Sequence, residues 1–379
     1  MIYIKKAQIT KNNGMMYVSF LIENGYTNKN QDLKYVFECK YEEYFTFDRM
    51  DGVLVSCLHW LAVNNYDVNL ELPVSKRLYY QITKHLLPAW KSNIKINCET
   101  TASAYKPGEY VAAGMSCGID SLATYHAHTQ ISDLYKINLL TFFGAGAISG
   151  GDLESYEKQL KTSKDFAAEA GLPHFTVNSN LDAIFKEQHI SSHTFRNCGI
   201  VLLFQKMFQV YYYSSTYTLN EFLIDLHCKD CAFYDVFTLP LISTDSVAFY
   251  SSGAALNRFE KTSVITENAL AKKHLSVCVA SHNGHKNNCG RCLKCVRTLT
   301  TLDALGKLDE FSQVFDIQKY RKERAKLIGF YILLGGFRKD HFTRDIRLVL
   351  KKKKMIPVSS YFWALLRLLA HPLRKFWIH

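Results

Sequence analysis

The 379-residue sequence contains no apolar run approaching the ~18 residues of a membrane-spanning helix, so no such helix is expected. The first charged residue is Lys5, and the amino-terminal segment has no apolar stretch followed by a small-residue cleavage site, which argues against a secretory signal. Hydrophobic residues make up 48% and charged residues 21%, a balance that excludes a disordered chain. We therefore expect a cytoplasmic protein of two or three structural units.

Acidic residues are scarce at the carboxyl end. Residues 319–379 hold 16 Lys and Arg but 3 Asp and Glu, so this part carries the whole excess of the +12 net charge. Four lysines at 351–354 precede a short apolar segment that contains Trp363. This pattern predicts a basic helical tail, 311–379, that contacts an anionic inner membrane face peripherally. RNA binding and a helix packed on the protein itself are the alternatives.

The remaining chain has two patterns of predicted elements. Strands at 16–22 and 34–39 and helices at 51–63 and 75–87 predict a small α+β unit, 1–105. From there to 310, strands near 109–114, 135–143, 175–177 and 210–213 alternate with helices near 120–128, 152–170 and 197–208. This alternation predicts an α/β domain with a parallel sheet, whose ligands bind beyond the carboxyl ends of the strands.

The loop after the first strand of that domain joins the strand to a helix. It contains Ser116, Cys117, Gly118, Ile119, Asp120 and Ser121. Such a turn directs backbone N–H groups and the positive end of the helix toward one point, which favours phosphate binding. The two serines add hydroxyl donors, and Asp120 could orient the loop or hold Mg²⁺. No Gly-Lys-Ser/Thr ending follows, so γ-phosphate chemistry is not indicated. An ordinary strand–turn–helix with a serine cap is the alternative.

Eleven cysteines in a cytoplasmic chain favour metal binding, catalysis or burial over disulfides. Four of them, three at x2 spacing, form a cluster: Cys278, Cys289, Cys292 and Cys295. Short Cys-x2-Cys turns allow sulfurs to converge on one tetrahedral Zn²⁺, which predicts a closed structural site. His282 and His285 are possible substitutes for Cys278, and an iron–sulfur cluster or buried free thiols are further alternatives.

The 116–121 loop resembles the PP-loop of the N-type ATP pyrophosphatases, whose usual pattern is Ser-Gly-Gly-x-Asp-Ser. Members of that superfamily cleave ATP between the α and β phosphates, adenylating a substrate oxygen while the loop holds pyrophosphate. Here Cys117 stands at the first glycine of the pattern. If that position requires a positive φ, a cysteine is strained there by ~1–2 kcal/mol.

The cysteine cluster is similar to that of 7-cyano-7-deazaguanine synthase, although the eleven-residue step from Cys278 to Cys289 is slightly long. The segments 235–261 and 297–308 resemble relatives of that synthase associated with bacterial surface-polysaccharide biosynthesis. The resemblance covers roughly 105–310. It implies an adenine nucleotide alpha-hydrolase-like, Rossmann-like domain, 106–310, with a zinc knot formed by the four clustered cysteines.

The resemblance also implies a reaction. An ATP-dependent ligase would use ATP, Mg²⁺ and Zn²⁺ to adenylate a carboxylate or amide oxygen of a small acid, with ammonia or another nitrogen donor attacking next. A deazapurine acid and a sugar acid are candidate acceptors. Asp120 and Ser121 would act at the phosphates, and Arg258 and Lys261 could neutralise pyrophosphate or carboxylate charge. A solvated helix face with a Glu260 ion pair is the alternative for those two cations.

Two other functions are consistent with the sequence. A tRNA-modifying thiolase of the same superfamily would need a reactive cysteine, for which Cys228 and Cys231 are the candidates; a second metal site, a redox pair or incidental placement would also explain them. If Cys117 makes the loop incompetent for catalysis, the protein would be a non-catalytic ATP-binding protein. Finally, His189, His193 and Arg196 precede a predicted helix and either face the nucleotide or are ordinary loop residues.

Overall fold

A computed structural model describes residues 1–131, 133–147, 152–278, 288–334 and 340–369. Its strands are β1 (Ile2–Ile4), β2 (Gln8–Asn12), β3 (Met15–Asn24), β4 (Lys29–Glu38), β5 (Val68–Leu70), β6 (Val74–Ser75), β7 (Ile96–Asn97), β8 (Thr100–Thr101), β9 (Tyr110–Gly114), β10 (Leu139–Gly144), β11 (His174–Ser179), β12 (Phe208–Ser214) and β13 (Ala248–Ser252). Its α-helices are α1 (Asp51–Val63), α2 (Lys76–Gln81), α3 (Leu87–Ala89), α4 (Ile119–Thr129), α5 (Leu153–Glu169), α6 (Leu181–Phe185), α7 (His189–Leu203), α8 (Asp235–Leu241), α9 (Arg258–Ile265), α10 (Ala269–His274), α11 (Leu293–Leu305), α12 (Ile317–Leu327), α13 (His341–Lys352) and α14 (Val358–Leu369).

The chain divides into two compact units. The first comprises Met1–Met115 and Ala127–Ala254, and the second comprises Ser116–His126 and Ala255–His379. The sheet belongs to the first unit, whereas the loop that follows β9 and the four clustered cysteines belong to the second. The chain therefore leaves the first unit immediately after β9 and returns to it within α4.

Five parallel strands form one half of the sheet in the first unit, in the order β13-β12-β9-β10-β11. Buried Val111, Ala112 and Ala113 of β9 and Leu139 and Leu140 of β10 explain why these short apolar runs become interior strands. The chain proceeds from β9 to β10 and β11 on one side and then crosses to β12 and β13 on the other. The predicted α/β class with a parallel sheet is confirmed, and the topology is Rossmann-like, with its switch point at the carboxyl end of β9.

Residues 1–105 contribute to the same sheet. β4 pairs antiparallel with β11, placing Val36 opposite Asn178, and the order continues β4-β3-β1-β5-β7. The β3–β4 hairpin alternates buried and exposed side chains, as a half-buried strand pair requires. Phe37 and Phe175 each meet Phe204 edge to face, with ring centroids 4.7 Å and 4.9 Å away, so one aromatic core joins the two parts.

The helices α1 and α7 cross at a pair of glycines in the first unit. A Cβ on Gly52 would lie 2.6 Å from the carbonyl oxygen of Gly199, and one on Gly199 would lie 2.7 Å from that of Gly52. Only glycine permits this backbone approach, which leaves α1 almost entirely buried. The predicted bounds 51–63 of α1 are confirmed, whereas the helix predicted at 197–208 begins earlier, at His189, and ends at Leu203.

The second unit is built from helices. α11 is its buried centre and contacts α9 and α13. The last two described helices are amphipathic, and α14 leaves several apolar side chains exposed. Among the described residues, every helix is too short or too polar to cross a bilayer.

Candidate functional site

The loop predicted to bind phosphate is held by its own serines. The Ser116 hydroxyl accepts a hydrogen bond from the Gly118 N–H at 3.3 Å and lies 3.2 Å from the Ser121 hydroxyl. Ser121 in turn donates to the Gly118 carbonyl at 3.1 Å, and α4 begins at Ile119. The first turn of α4 therefore follows a tight turn stabilised by two hydroxyls, the arrangement that favours anions at a helix N-terminus.

Cys117 occupies the backbone conformation that glycine favours. Its φ is 56°, in the left-handed region, and its side chain is fully buried. Its carbonyl accepts a hydrogen bond from the Ser276 N–H at 2.8 Å, which fixes the loop to the segment that leads to the cysteine cluster. The condition under which a cysteine would be strained here is therefore met.

The Asp120 carboxylate is the centre of a charge cluster. Arg258 approaches one of its oxygens at 2.8 Å, and Lys261 approaches the other, Oδ1, at 3.5 Å. The Lys261 side chain is buried, while Arg258 and Asp120 are partly exposed. Within the described part of the chain, the buried Oδ1 atom accepts no hydrogen bond, and the ammonium of Lys261 is its ionic partner. Asp120 of α4 and Arg258 and Lys261 of α9 thus form one charge cluster, and Ser121 follows Asp120 in the sequence.

An aromatic ring and two further cations lie near Arg258. The Arg258 and Arg297 guanidinium groups lie 4.9 Å and 5.1 Å from the ring centroid of Phe342, on α13. The Lys294 side chain reaches solvent, yet partial desolvation and the neighbouring Arg258 lower its pKa, while Asp120 raises it. Sequence reasoning missed Lys294, Arg297 and Phe342, because their approach depends on how α9, α11 and α13 pack.

The four clustered cysteines converge as predicted. All four sulfurs lie within 4.8 Å of one another, with 3.9 Å between Cys278 and Cys292 and 3.8 Å between Cys289 and Cys295. Sulfurs bound at ~2.3 Å to one tetrahedral ion would be about 3.8 Å apart. The group can therefore hold a single metal ion such as Zn²⁺. His282 and His285 lie outside the described residues.

The backbone around these cysteines is arranged for thiolates. The N–H groups of Arg291 and Cys292 point to the Cys289 sulfur at 3.4 Å and 3.2 Å, and Gly290, which follows Cys289, adopts a φ of 71°. Hydrogen bonds from neighbouring thiols, that of Cys295 first, lower the pKa of Cys292 to about 5. These contacts favour the negative sulfurs that a metal requires.

Asn288 joins the two arms of the cluster, and sequence reasoning missed it. Its buried side-chain oxygen accepts from the N–H groups of Val277 and Cys278 at 2.8 Å and 3.2 Å, while its amide donates to the carbonyls of Leu275 and Val314. The available signal was its position immediately before Cys289. A buried amide that satisfies four backbone groups fixes the register of the cysteine-bearing arms.

A cavity of about 390 Å³ opens at the carboxyl ends of β10 and β11 in the first unit. Phe142, Phe143 and Tyr156 give it apolar walls, and Asn178 and Asp182 add polar groups. Gly144 lines it closely, since a Cβ there would lie 2.2 Å from the Asn178 side-chain oxygen. The cavity has the size and composition of a small-molecule pocket and lies at the edge of the sheet where such ligands bind.

The histidines and Arg196 that precede the predicted helix lie on α7 itself. Arg196 is fully buried and pairs with Asp182 at 3.3 Å and Glu187 at 3.6 Å, a structural role. The Cys231 sulfur is buried beside His193, and Cys228 is half-buried with its thiol donating to the Asp230 carbonyl.

Comparison of the chain with protein-family models, curated proteins and solved structures found no match.

Proposed function

We propose that this protein is an ATP-dependent ligase of the PP-loop type. It adenylates a carboxylate or amide oxygen of a small molecule with release of pyrophosphate, and ammonia then displaces AMP to form a carbon–nitrogen bond. The observation that carries the proposal is Asp120, which stands in the first turn of α4 and pairs with both Arg258 and Lys261. The loop pattern, the Rossmann-like sheet and the four-cysteine group support it.

Each residue of the charge cluster has a role in this reaction. The loop N–H groups and the hydroxyls of Ser116 and Ser121 would hold the leaving pyrophosphate. Arg258 and Lys261 would offset the negative charge that develops on it. Asp120 would hold Mg²⁺ through Oδ1 once the Lys261 ammonium, which lies 3.5 Å from that oxygen, turns toward the phosphates. When bound, Mg²⁺ neutralises phosphate charge and makes pyrophosphate a better leaving group.

The four-cysteine group supplies structure rather than chemistry in this proposal. A metal with four thiolate ligands has no open position for a substrate. Through Cys117, whose carbonyl accepts from Ser276, the loop is connected to the segment that carries Cys278. Zinc would therefore support the loop without touching the reacting atoms.

The proposal is tested by determining which phosphate bond of ATP is cleaved. The wild type should form AMP when it is incubated with Mg²⁺, α-³²P-labelled ATP, ammonia and a panel of deazapurine and sugar acids. Asp120→Asn should lower the rate of AMP formation at least ~100-fold, because it removes a metal ligand and the partner of two cations. Asp309→Asn is the matched control, since it removes an exposed carboxylate of the same unit. ADP as the product, or equal AMP formation by Asp120→Asn, contradicts the proposal.

The two alternatives give different results in the same assay. A thiolase would lose activity with Cys231→Ala while its metal content stays normal, although full burial of the Cys231 sulfur disfavours a persulfide carrier. A non-catalytic protein would bind ATP and form no AMP. Replacement of Cys117 by glycine should then restore turnover if the loop conformation is the obstacle.

We also propose that the C-terminal tail contacts an anionic bilayer. On α14, Phe362, Leu365 and Leu369 are exposed by 54–67% of their surface. The four lysines 351–354 end three residues before this helix, and Lys353 among them donates to the Ala304 carbonyl at 2.6 Å. Lysines near anionic lipid contribute ~1 kcal/mol each. An exposed apolar face beside a cationic cluster is typical of an interfacial helix.

Vesicle sedimentation tests this contact. The protein should bind vesicles of phosphatidylglycerol and phosphatidylcholine, but not pure phosphatidylcholine, and Leu365→Asp should weaken binding about tenfold. Leu134→Asp is the matched control, because Leu134 is an exposed leucine of the first unit. Equal binding to both vesicle types, or binding only to added RNA, would contradict the membrane proposal.

A further inference from the structure

A second group of metal-type side chains lies in the first unit, built from different elements than the four-cysteine group. His193 on α7, Asp230 and Cys231 place one nitrogen, one oxygen and one sulfur within 4.8 Å of one another. The Cys231 side chain is fully buried, and the side chains of Asp230 and His193 are only 8% and 14% exposed. We propose that these three residues hold a second, structural Zn²⁺ ion.

The ring of His193 is already oriented for coordination. Its Nδ1 lies 2.5 Å from the Tyr213 hydroxyl, and its Nε2 lies 3.2 Å from an Asp230 oxygen. A metal-bound histidine usually donates its other N–H to a nearby oxygen, which fixes the ring. With Nδ1–H donating to Tyr213, Nε2 has its lone pair directed toward the space shared with Asp230 and Cys231.

The carboxylate has the same outer support. The Ala232 N–H donates to Asp230 Oδ1 at 3.0 Å, and the Tyr217 hydroxyl donates to Oδ2 at 3.1 Å. The neighbouring carboxylate of Asp235 is also buried and accepts from Thr194 at 2.6 Å. A pair of buried acids and a thiol in one place favours a divalent cation, because buried negative charge is costly without compensation.

His189 supplies the independent observation that points to a ligand. It lies one turn before His193 on α7, with ring centroids 5.6 Å apart, and its buried Nε2 has no hydrogen-bond partner among the described residues. Histidines four residues apart on a helix share one face and commonly bind one metal. We assign the fourth position to His189, which would change its rotamer to bind the ion. Imidazole, carboxylate and thiolate together favour Zn²⁺ over Mg²⁺ or Ca²⁺.

Metal counting tests the site with the full chain. After reconstitution with excess Zn²⁺ and dialysis, mass spectrometry should find two ions in the wild type, one in Cys289→Ser/Cys292→Ser and one in His193→Gln. His174→Gln, which removes another half-buried histidine that bonds hydroxyls, is the matched control and should keep two. One ion in the wild type, lost with the paired cysteine substitutions, would overturn the proposal.

Cobalt substitution separates ligand loss from misfolding. In Cys289→Ser/Cys292→Ser, Co²⁺ should give the visible bands of a tetrahedral site with one thiolate, and Cys231→Ser added to that background should abolish the sulfur-to-metal band. Chelation should lower the melting temperature in the first background and leave it unchanged when His193→Gln is added. A protein that is fully folded by circular dichroism and shows no cobalt bands would refute the site. The PP-loop assay is independent of these readouts.

Discussion

Exchange of Cys117 for glycine or alanine tests the conformation of the phosphate loop directly. Both substitutions remove the same buried sulfur, so their difference isolates the Cβ atom. At a φ of 56°, alanine keeps a Cβ in the left-handed region and glycine does not. We expect Cys117→Gly to be more stable than Cys117→Ala, the reverse of their order at an ordinary position.

The size of the difference follows from two opposing effects. The left-handed conformation costs a non-glycine residue ~1–2 kcal/mol. Glycine lowers the free energy of unfolding by ~0.4–1 kcal/mol relative to alanine, because its unfolded chain has more conformational freedom. The free energy of unfolding should therefore be about 1 kcal/mol higher for Cys117→Gly, which corresponds to about 3 °C in melting temperature for a unit of this size.

Calorimetry and urea unfolding of the two variants measure this difference. Ala127→Gly is the control, because Ala127 is an exposed position of α4 where glycine should cost about 1 kcal/mol. If Cys117→Ala proved the more stable variant, the left-handed conformation would be refuted. The AMP assay on the same glycine variant then shows whether loop strain also limits turnover.

Three further changes have defined outcomes. Asn288→Ala should lower the free energy of unfolding by about 2–4 kcal/mol and speed metal loss to a chelator, because two buried N–H groups lose their acceptor. Cys292→Ser should lose the metal of the four-cysteine group, measured by mass spectrometry of the native protein. Burial lowers the pKa of His174 to about 4, whereas the pKa in the unfolded chain is ~6.5. The unfolded chain therefore binds the proton first as pH falls, so the stability contributed by neutral His174 is complete above pH ~6.5 and is lost toward pH 4. Between pH 7 and 5 the free energy of unfolding of the wild type, measured with urea, should fall by about 1–2 kcal/mol more than that of His174→Gln.

One control for these changes comes from the same chain. Asn30→Ala, at an exposed asparagine of β4, is the control for Asn288→Ala and should change the free energy of unfolding by less than ~0.5 kcal/mol. A pH dependence identical in the wild type and His174→Gln, or a Cys292→Ser protein with undiminished metal content, would contradict the corresponding argument.

Local patterns predict the elements that bury a regular apolar face. Apolar residues that recur through Asp51–Val63 predict α1 at its observed bounds, and an apolar run followed by a small-residue turn predicts β9 and then α4. The four cysteines are predicted as one cluster because their spacing is itself the geometric signal.

The start of α7 is not predicted because its first turns are polar. Ser192, Thr194 and Arg196 are nevertheless buried, since they find polar partners in α6, in the loop before α7 and in Asp235. The pairing of Arg258 with Asp120 spans 138 positions of sequence, and it depends on how α9 packs. Such partners arise from tertiary structure, which composition and periodicity do not encode.

The junction of β4 with β11 has a consequence for synthesis on the ribosome. Val36 and Asn178, which are paired there, are 142 positions apart. At ~5–20 residues per second, the β3–β4 hairpin emerges about 7–28 s before its partner strand. During that interval the β4 edge offers unpaired N–H and C=O groups to any neighbouring nascent chain. Early growth of the polypeptide, rather than the finished fold, is therefore where we expect this protein to need a chaperone.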